Sequence, residues 1–228
     1  MKKLLTLLIL FYSCFLHAQN LQEKKFDLPD GSKLIYQTIN NALNGLYEIK
    51  DGSLVLLRGN YVNEKRVGNW YLFNKDKSLF ARYNYDAKKL LFVDSKMLAL
   101  ATIKINSGNT EIDTKASVSL PILSIEQYFP IASTLATDAI PDKDKNTLDP
   151  NSITITAAID EVGAAKYTVN YLIKNEKINQ RLELDKFPFK IDWIPASYEG
   201  KAYPSEFIIK VKINNKPADG NHRRFNWL

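Results

Sequence analysis

The sequence predicts a mixed β and α+β fold, an N-terminal antiparallel β-hairpin array followed by a small α+β domain. Three observations predict it. First, Gly45-Leu-Tyr47 recurs 23 residues later as Gly68-Asn-Trp70, and Gly59-Asn-Tyr61 recurs 24 residues later as Tyr83-Asn-Tyr85, with the glycine lost. Short apolar runs and Asn, Asp and Lys turns separate the copies, which is the pattern of successive hairpins. Second, Ile153, Ile155, Ala157 and Ile159 alternate with polar residues, as do Tyr167, Val169, Tyr171 and Ile173, and Phe207, Ile209, Val211 and Ile213. Alternation of period two marks strands with one buried face. Third, Ser124-Ile-Glu-Gln127 is a capping-box pattern ahead of apolar residues near helical spacing.

Residues 1–18 read as a signal peptide. Lys2 and Lys3 precede an apolar run of 13 residues, Leu4 to Leu16, and Ala18 offers a cleavage point. The run is too short to cross about 30 Å of hydrocarbon as a helix. The expected location is therefore outside the cytoplasm, in the periplasm, at the outer membrane or secreted. Cys14 offers lipidation as an alternative, behind a Phe11-Tyr12-Ser13 bulkier than such a site wants.

Loss of the leader removes reactive groups. Cys14 is the only cysteine, and His17 leaves with it, so His222 in the tail is the one remaining histidine. Disulfides, Cys–His nucleophiles and zinc sites of His or Cys then have no residues to form from. No catalytic constellation is legible, and the chain is expected to be no enzyme, with no metal and no cofactor. Without the two leader lysines the formal charge falls from +6 to +4, spread along the chain. No basic block points to nucleic acid.

The hairpin region covers 19–95. Leu28-Pro29-Asp30-Gly31 is a turn, and Lys33 to Gln37 suits a first strand. Asp51-Gly52 is a tight-turn dipeptide. Asn63 to Arg66, Asn74 to Lys77, and Asp86 to Lys89 supply the later turns. Glycine weakens a strand unless something packs against its bare backbone, so Gly59 beside repeated aromatics predicts a ring lying across a neighbouring strand. Alternation puts Trp70 and Leu72 on one face and Tyr71 and Phe73 on the other. It also sets Leu79, Ala81, Tyr83 and Tyr85 opposite Phe80, Arg82 and Asn84. Arg58, Arg66 and Arg82 are expected as solvated outward positions.

This region resembles the MORN-repeat variant of YwqK-like proteins, found in many exported proteins of Gram-negative bacteria. The matching residues are Gly45-x-Tyr47, Asp51-Gly52, Gly59-Asn-Tyr61, Arg66-x-Gly68-x-Trp70, and Tyr83-Asn-Tyr85 followed by Lys89-Leu90. The departures are the absent glycine before Tyr85, and Asn63-Glu64-Lys65 where Asn-Gly-Lys is usual.

Residues 96–119 read as a connecting segment, with a strand within Met97 to Ile105 and a turn at Asn106 to Asn109. The α+β domain spans 120–214. Pro130 interrupts the pattern after Ser124, which predicts a short helix starting at Pro130. Glu161-Val-Gly163 joins the first two strands. Asn175 suits the cap of a helix from Glu176 to about Leu184, stopped by Pro188. The expected order is strand, strand, helix, strand, with the helix on the shared apolar face. Asp192-Trp193-Ile-Pro-Ala196, Glu199-Gly200-Lys201-Ala-Tyr203-Pro-Ser205 and Ile159-Asp160-Glu161-x-Gly163 resemble the C-terminal domain of TonB. That resemblance implies the fold and strand addition at an edge. It implies no energy transduction, since the proline-rich spacer and membrane anchor are absent. A tail covers 215–228, ending in the amphipathic Arg223-Arg224-Phe225-Asn-Trp227-Leu228.

Trp70, Tyr71, Phe73, Arg82, Tyr83 and Tyr85 form the candidate binding set, as rings beside a cation. The expected role is a non-enzymatic interaction or scaffold protein of the cell envelope, binding a protein partner by strand addition or through this aromatic face. The alternative is a glycan- or peptidoglycan-binding protein, carbohydrate-active if Asp192 and Glu199 form a carboxylate pair. Contact with a membrane surface is a third expectation.

Overall fold

The computed structural model describes residues 21–28, 31–182 and 191–212. The expected leader with Cys14, the expected stop at Pro188, His222 and the tail lie outside the described residues.

The N-terminal half is a seven-stranded antiparallel sheet whose strands lie in sequence order. They are β1 (Gln22–Asp27), β2 (Lys33–Ile39), β3 (Ala42–Asp51), β4 (Leu54–Val62), β5 (Lys65–Phe73), β6 (Leu79–Asn84) and β7 (Lys89–Val93). This is the expected hairpin array, with β1 added ahead of it. Its tight turns follow the residue chemistry. Asn40-Asn41 and Asn63-Glu64 all have positive φ, from 49° to 67°, as two-residue hairpin turns matched to strand twist require. Gly52, at φ +57°, makes the turn after Asp51.

The strand expected within 97–105 divides. Ser95–Leu98 is a helical turn, α1, because Asp94 caps it by accepting from the Lys96 and Met97 amides. β8 (Ala101–Ile105) follows and pairs with β16 (Ser205–Lys210). The segment read as a connector thus supplies a strand to the second sheet. α2 (Thr110–Lys115) and β9 (Leu120–Pro121) lead to α3 (Ile125–Ala139). The helix starts after Ser124, not at Pro130. Ser124 Oγ accepts from the Gln127 amide, and Gln127 Oε1 accepts from the Ser124 amide. Pro130 removes the amide that would have reached the Glu126 carbonyl, and the helix carries it in its second turn behind the completed box.

After α4 (Asp142–Lys145) come β10 (Thr154–Ile159), β11 (Ala165–Ile173) and β12 (Glu176–Leu182). The helix expected from Glu176 is a strand. Lys174 and Asn175 both take positive φ, 49° and 69°, so Asn175 ends a tight hairpin turn and caps nothing. β12 then pairs along β11 from Glu176 to Leu182. The sheet order is β12-β11-β10-β16-β8, every pair antiparallel. The short β13 (Trp193–Ile194) pairs with β9, and β14 (Ala196–Tyr198) pairs with β15 (Lys201–Tyr203).

α3 is the covering helix of this half, and in the chain it lies between β8 and the other four strands of the sheet. It buries Ile125, Tyr128, Ile131, Ala132, Leu135 and Ala136. Tyr128 meets Phe207 and Trp193 edge-on, with centroids 5.7 and 5.5 Å away. The buried side chains of both halves form one continuous apolar cluster. Polar ties join the halves as well, among them the Lys75 amide, which donates to Glu126 Oε2 at 2.8 Å.

Candidate functional site

The pairing registers sort the hairpin array into two faces. One row runs Leu34, Ile49, Leu57, Leu72, Ala81, Val93 across six strands. Ile49, Leu57, Leu72 and Ala81 in it are buried. The adjacent row runs Lys25, Ile35, Glu48, Arg58, Tyr71, Arg82, Phe92 across all seven. The first row faces the core and the second faces outward.

Trp70 belongs to the inner face and is 1% exposed. Its indole lies across Gly59, where a Cβ would come within 2.2 Å of two ring atoms. That is the ring-over-glycine packing expected from the repeat. β5 bulges here, spending Gly68, Asn69 and Trp70 opposite Gly59 between the Asn60–Val67 and Arg58–Tyr71 pairs. Gly68 supplies the φ of +62° that the bulge needs, and its amide donates to Asp86 Oδ2 at 3.0 Å. Gly45 does the same one repeat earlier, at φ +96°, with the Leu46 amide donating to Gln37 Oε1.

Around the indole stand Tyr47, Tyr61 and Tyr85, with centroids 5.5, 5.4 and 5.5 Å away, and Tyr83 lies 4.9 Å from Tyr85. Arg66 is not the solvated residue expected. Its guanidinium sits 5.7, 5.2 and 5.8 Å from the Tyr61, Trp70 and Tyr85 rings. It also ion-pairs with Asp192 of the second half. Burial pushes the phenols of Tyr47, Tyr61, Tyr83 and Tyr85 above their ordinary 10.0. For Tyr47, Tyr61 and Tyr85 the Arg66 charge opposes that shift without cancelling it.

The candidate set therefore splits. Trp70 and Tyr83 are buried and Tyr85 is packed among them, so these three rings are structural. Tyr71, Phe73 and Arg82 are half-exposed on the other face. Tyr71 and Phe73 hold their rings 6.4 Å apart and 15° from parallel. Arg82 lies between Tyr71 and Phe92 in the row and has no ion-pair partner among the described residues. Arg58 and Lys50 are engaged with Glu48 at 2.5 and 2.7 Å. Burial alone would raise the Glu48 pKa. Hydrogen bonds from Lys50 and Arg58, and their charges, outweigh that and hold it below the ordinary 4.5.

The row ends on β7, a sheet edge. Leu91 is 40% and Phe92 43% exposed there. These two lie outside the candidate set, although Leu90-Leu-Phe-Val93 is a visible apolar run after a lysine turn. Asp192 is committed to Arg66, and Glu199 sits exposed at the β14–β15 turn. Among the described residues no three His, Cys, Asp or Glu side chains converge as metal ligands, and no helix is long and apolar enough to cross a membrane.

Comparison of the chain with protein-family models, with curated proteins and with solved structures returns no match.

Proposed function

We propose that this chain is an exported, non-enzymatic interaction module of the cell envelope. In this reading it is built from a MORN-like hairpin array and a TonB C-terminal-like half. It binds a protein partner through β7 and the outward face beside it. One observation carries the reading. Across that face the cation–aromatic row Arg58, Tyr71, Arg82, Phe92 runs to a strand edge that exposes Leu91 and Phe92 side by side. An unpaired edge offers backbone donors and acceptors, and adjoining apolar side chains supply the burial that makes strand addition favourable. Packing of Trp70, Tyr83 and Tyr85 takes them out of the binding set and leaves Tyr71, Phe73 and Arg82, to which the edge adds Leu91 and Phe92.

The near-parallel Tyr71 and Phe73 rings favour a second reading, in which the same face stacks on a glycan. One experiment tests both. The purified protein and a Leu91→Asp/Phe92→Asp variant are used to capture ligands from envelope extract. A protein that co-elutes with the wild type and not with the variant supports the proposal. Recovery of polysaccharide alone, or equal recovery by the variant, overturns it.

A further inference from the structure

The partner's chemistry is legible at β7, an inference that rests on the proposed interaction role. Four strands end the two sheets, and three carry exposed charges beyond their first residue. β1 carries exposed Glu23, Lys25 and Asp27, β12 carries Glu176, Lys177 and Arg181, and β8 presents Lys104. Charges on an edge are the usual defence against pairing with another chain. β7 has one charge, Lys89 at its first residue, and its middle exposes Leu91, the extra residue at a register shift, and Phe92. Among the described residues no backbone bond joins β7 to any strand but β6.

The start of β7 opens on a shallow groove of about 450 Å³ between the β6–β7 turn, the end of α2 and the β14–β15 turn. Its lining carries Lys88, Lys89 and Lys115 against one carboxylate, Glu199. Lys115 is tied to Glu111 at 2.6 Å. Lys88 and Lys89 are exposed and have no ion-pair partner among the described residues. The acids flanking β7 are occupied: Asp86 accepts from the Gly68 amide, and Asp94 caps α1. The receiving edge is therefore apolar along its length and cationic at its first residue.

We propose that β7 receives an extended segment of a protein partner with an apolar centre followed by Asp or Glu side chains. Every pair in this sheet is antiparallel. A strand added the same way runs opposite to β7, so its C-terminal end meets Lys88 and Lys89 and the groove. We assign these carboxylates to side chains of a segment that continues past the groove. Carboxylates there gain rim electrostatics that guide encounter and fix direction, while the apolar centre supplies burial against Leu91 and Phe92.

Selection from short random peptides displayed as N-terminal fusions, which offer no free C-terminus, tests this on the purified protein. The expected winners carry apolar and β-branched residues followed by Asp or Glu. An amidated winner should bind the Lys88→Glu/Lys89→Glu variant at least about tenfold more weakly. Its Asp/Glu→Lys counterpart should recover binding to that variant, which a merely structural change would not produce. Circular dichroism and thermal melting confirm that the variant is folded. No enrichment, enrichment without acids, acids placed before the apolar run, or equal affinity for the variant each overturns the proposal. So does a dimer in sedimentation that the Leu91→Asp/Phe92→Asp change dissolves, since a second copy would then occupy the edge. If that edge variant loses the envelope partner but the charge-reversed variant keeps it, the interaction module stands and this inference alone fails.

Discussion

Gly59 has no side chain because Trp70 occupies the space a Cβ would need. The nearest obstruction is the rigid indole, wedged among three tyrosines, so it cannot swing aside. Gly59→Ala should therefore cost about 1–3 kcal/mol, as overpacking does. Trp70→Ala should cost about 3–5 kcal/mol through cavity formation. The two losses should be less than additive in the double variant, because the clash exists only while the ring is present. Chemical denaturation of the three proteins checks this. The lost glycine of the second copy has the same logic. No ring from β7 crosses position 83, since Leu90 pairs there and Phe92 points the other way. Tyr83 fills the space itself. The sequence shows the repeated glycine, and ring packing can be argued from it. The inward turn of Arg66 among the rings is not legible there, because its partner Asp192 lies 126 residues away.

The ionisable residues set the pH limits. Glu48 has a depressed folded pKa. Its contribution is fully present above the unfolded value and is lost as pH falls through the folded one, so the loss lies below about 4.5. Glu48→Gln should remove that part of the acid sensitivity, measured as the slope of melting temperature against pH. The buried tyrosines act at the other limit. Their folded pKa values are raised, with Tyr167 at about 12. Stability is intact below the unfolded value of 10.0 and is lost as pH rises past it, because only the unfolded chain can ionise. Melting temperature should stay level to about pH 9 and fall steeply beyond about pH 10.

At the scale of elements, turn chemistry explains both the correct and the incorrect readings. Asn63-Glu64 takes the doubly left-handed turn with glutamate where glycine is easiest, at φ +64°. Glu64→Gly should stabilise the β4–β5 hairpin by about 0.5–1 kcal/mol, read by thermal melting. β12 reads as a helix because Ile178 and Leu182 are four residues apart, a spacing that suits a helix turn and a strand face alike. Asn175 adds to the error, since asparagine favours both a helix cap and a left-handed turn residue. α3 shows the reverse case. Its capping box is legible, yet the proline hides how early the helix begins. Ser124→Ala should cost about 1 kcal/mol and loosen the first turn ahead of Pro130.

At the scale of the molecule, the two halves share one apolar cluster, and Arg66–Asp192 ties the aromatic face of the first to the second. Both side chains keep some solvent contact, so the ion pair itself is screened. Asp192→Asn should cost about 0.5–1 kcal/mol. Arg66→Ala should cost more, because it also removes the cation from three rings. A double-mutant cycle separates the two contributions. Alternation tells which residues share a strand face, but not which face the second half covers. That choice decides which rings are structural and which are available, and it leaves Tyr71, Phe73, Arg82 and the β7 edge outward.

Amide hydrogen exchange of the protein with and without a protein recovered on it from envelope extract tests this account most directly. Strand addition predicts new protection concentrated in Lys89–Val93, with little change in β12 and β8. Protection at β12 or β8, or none in β7, would contradict it.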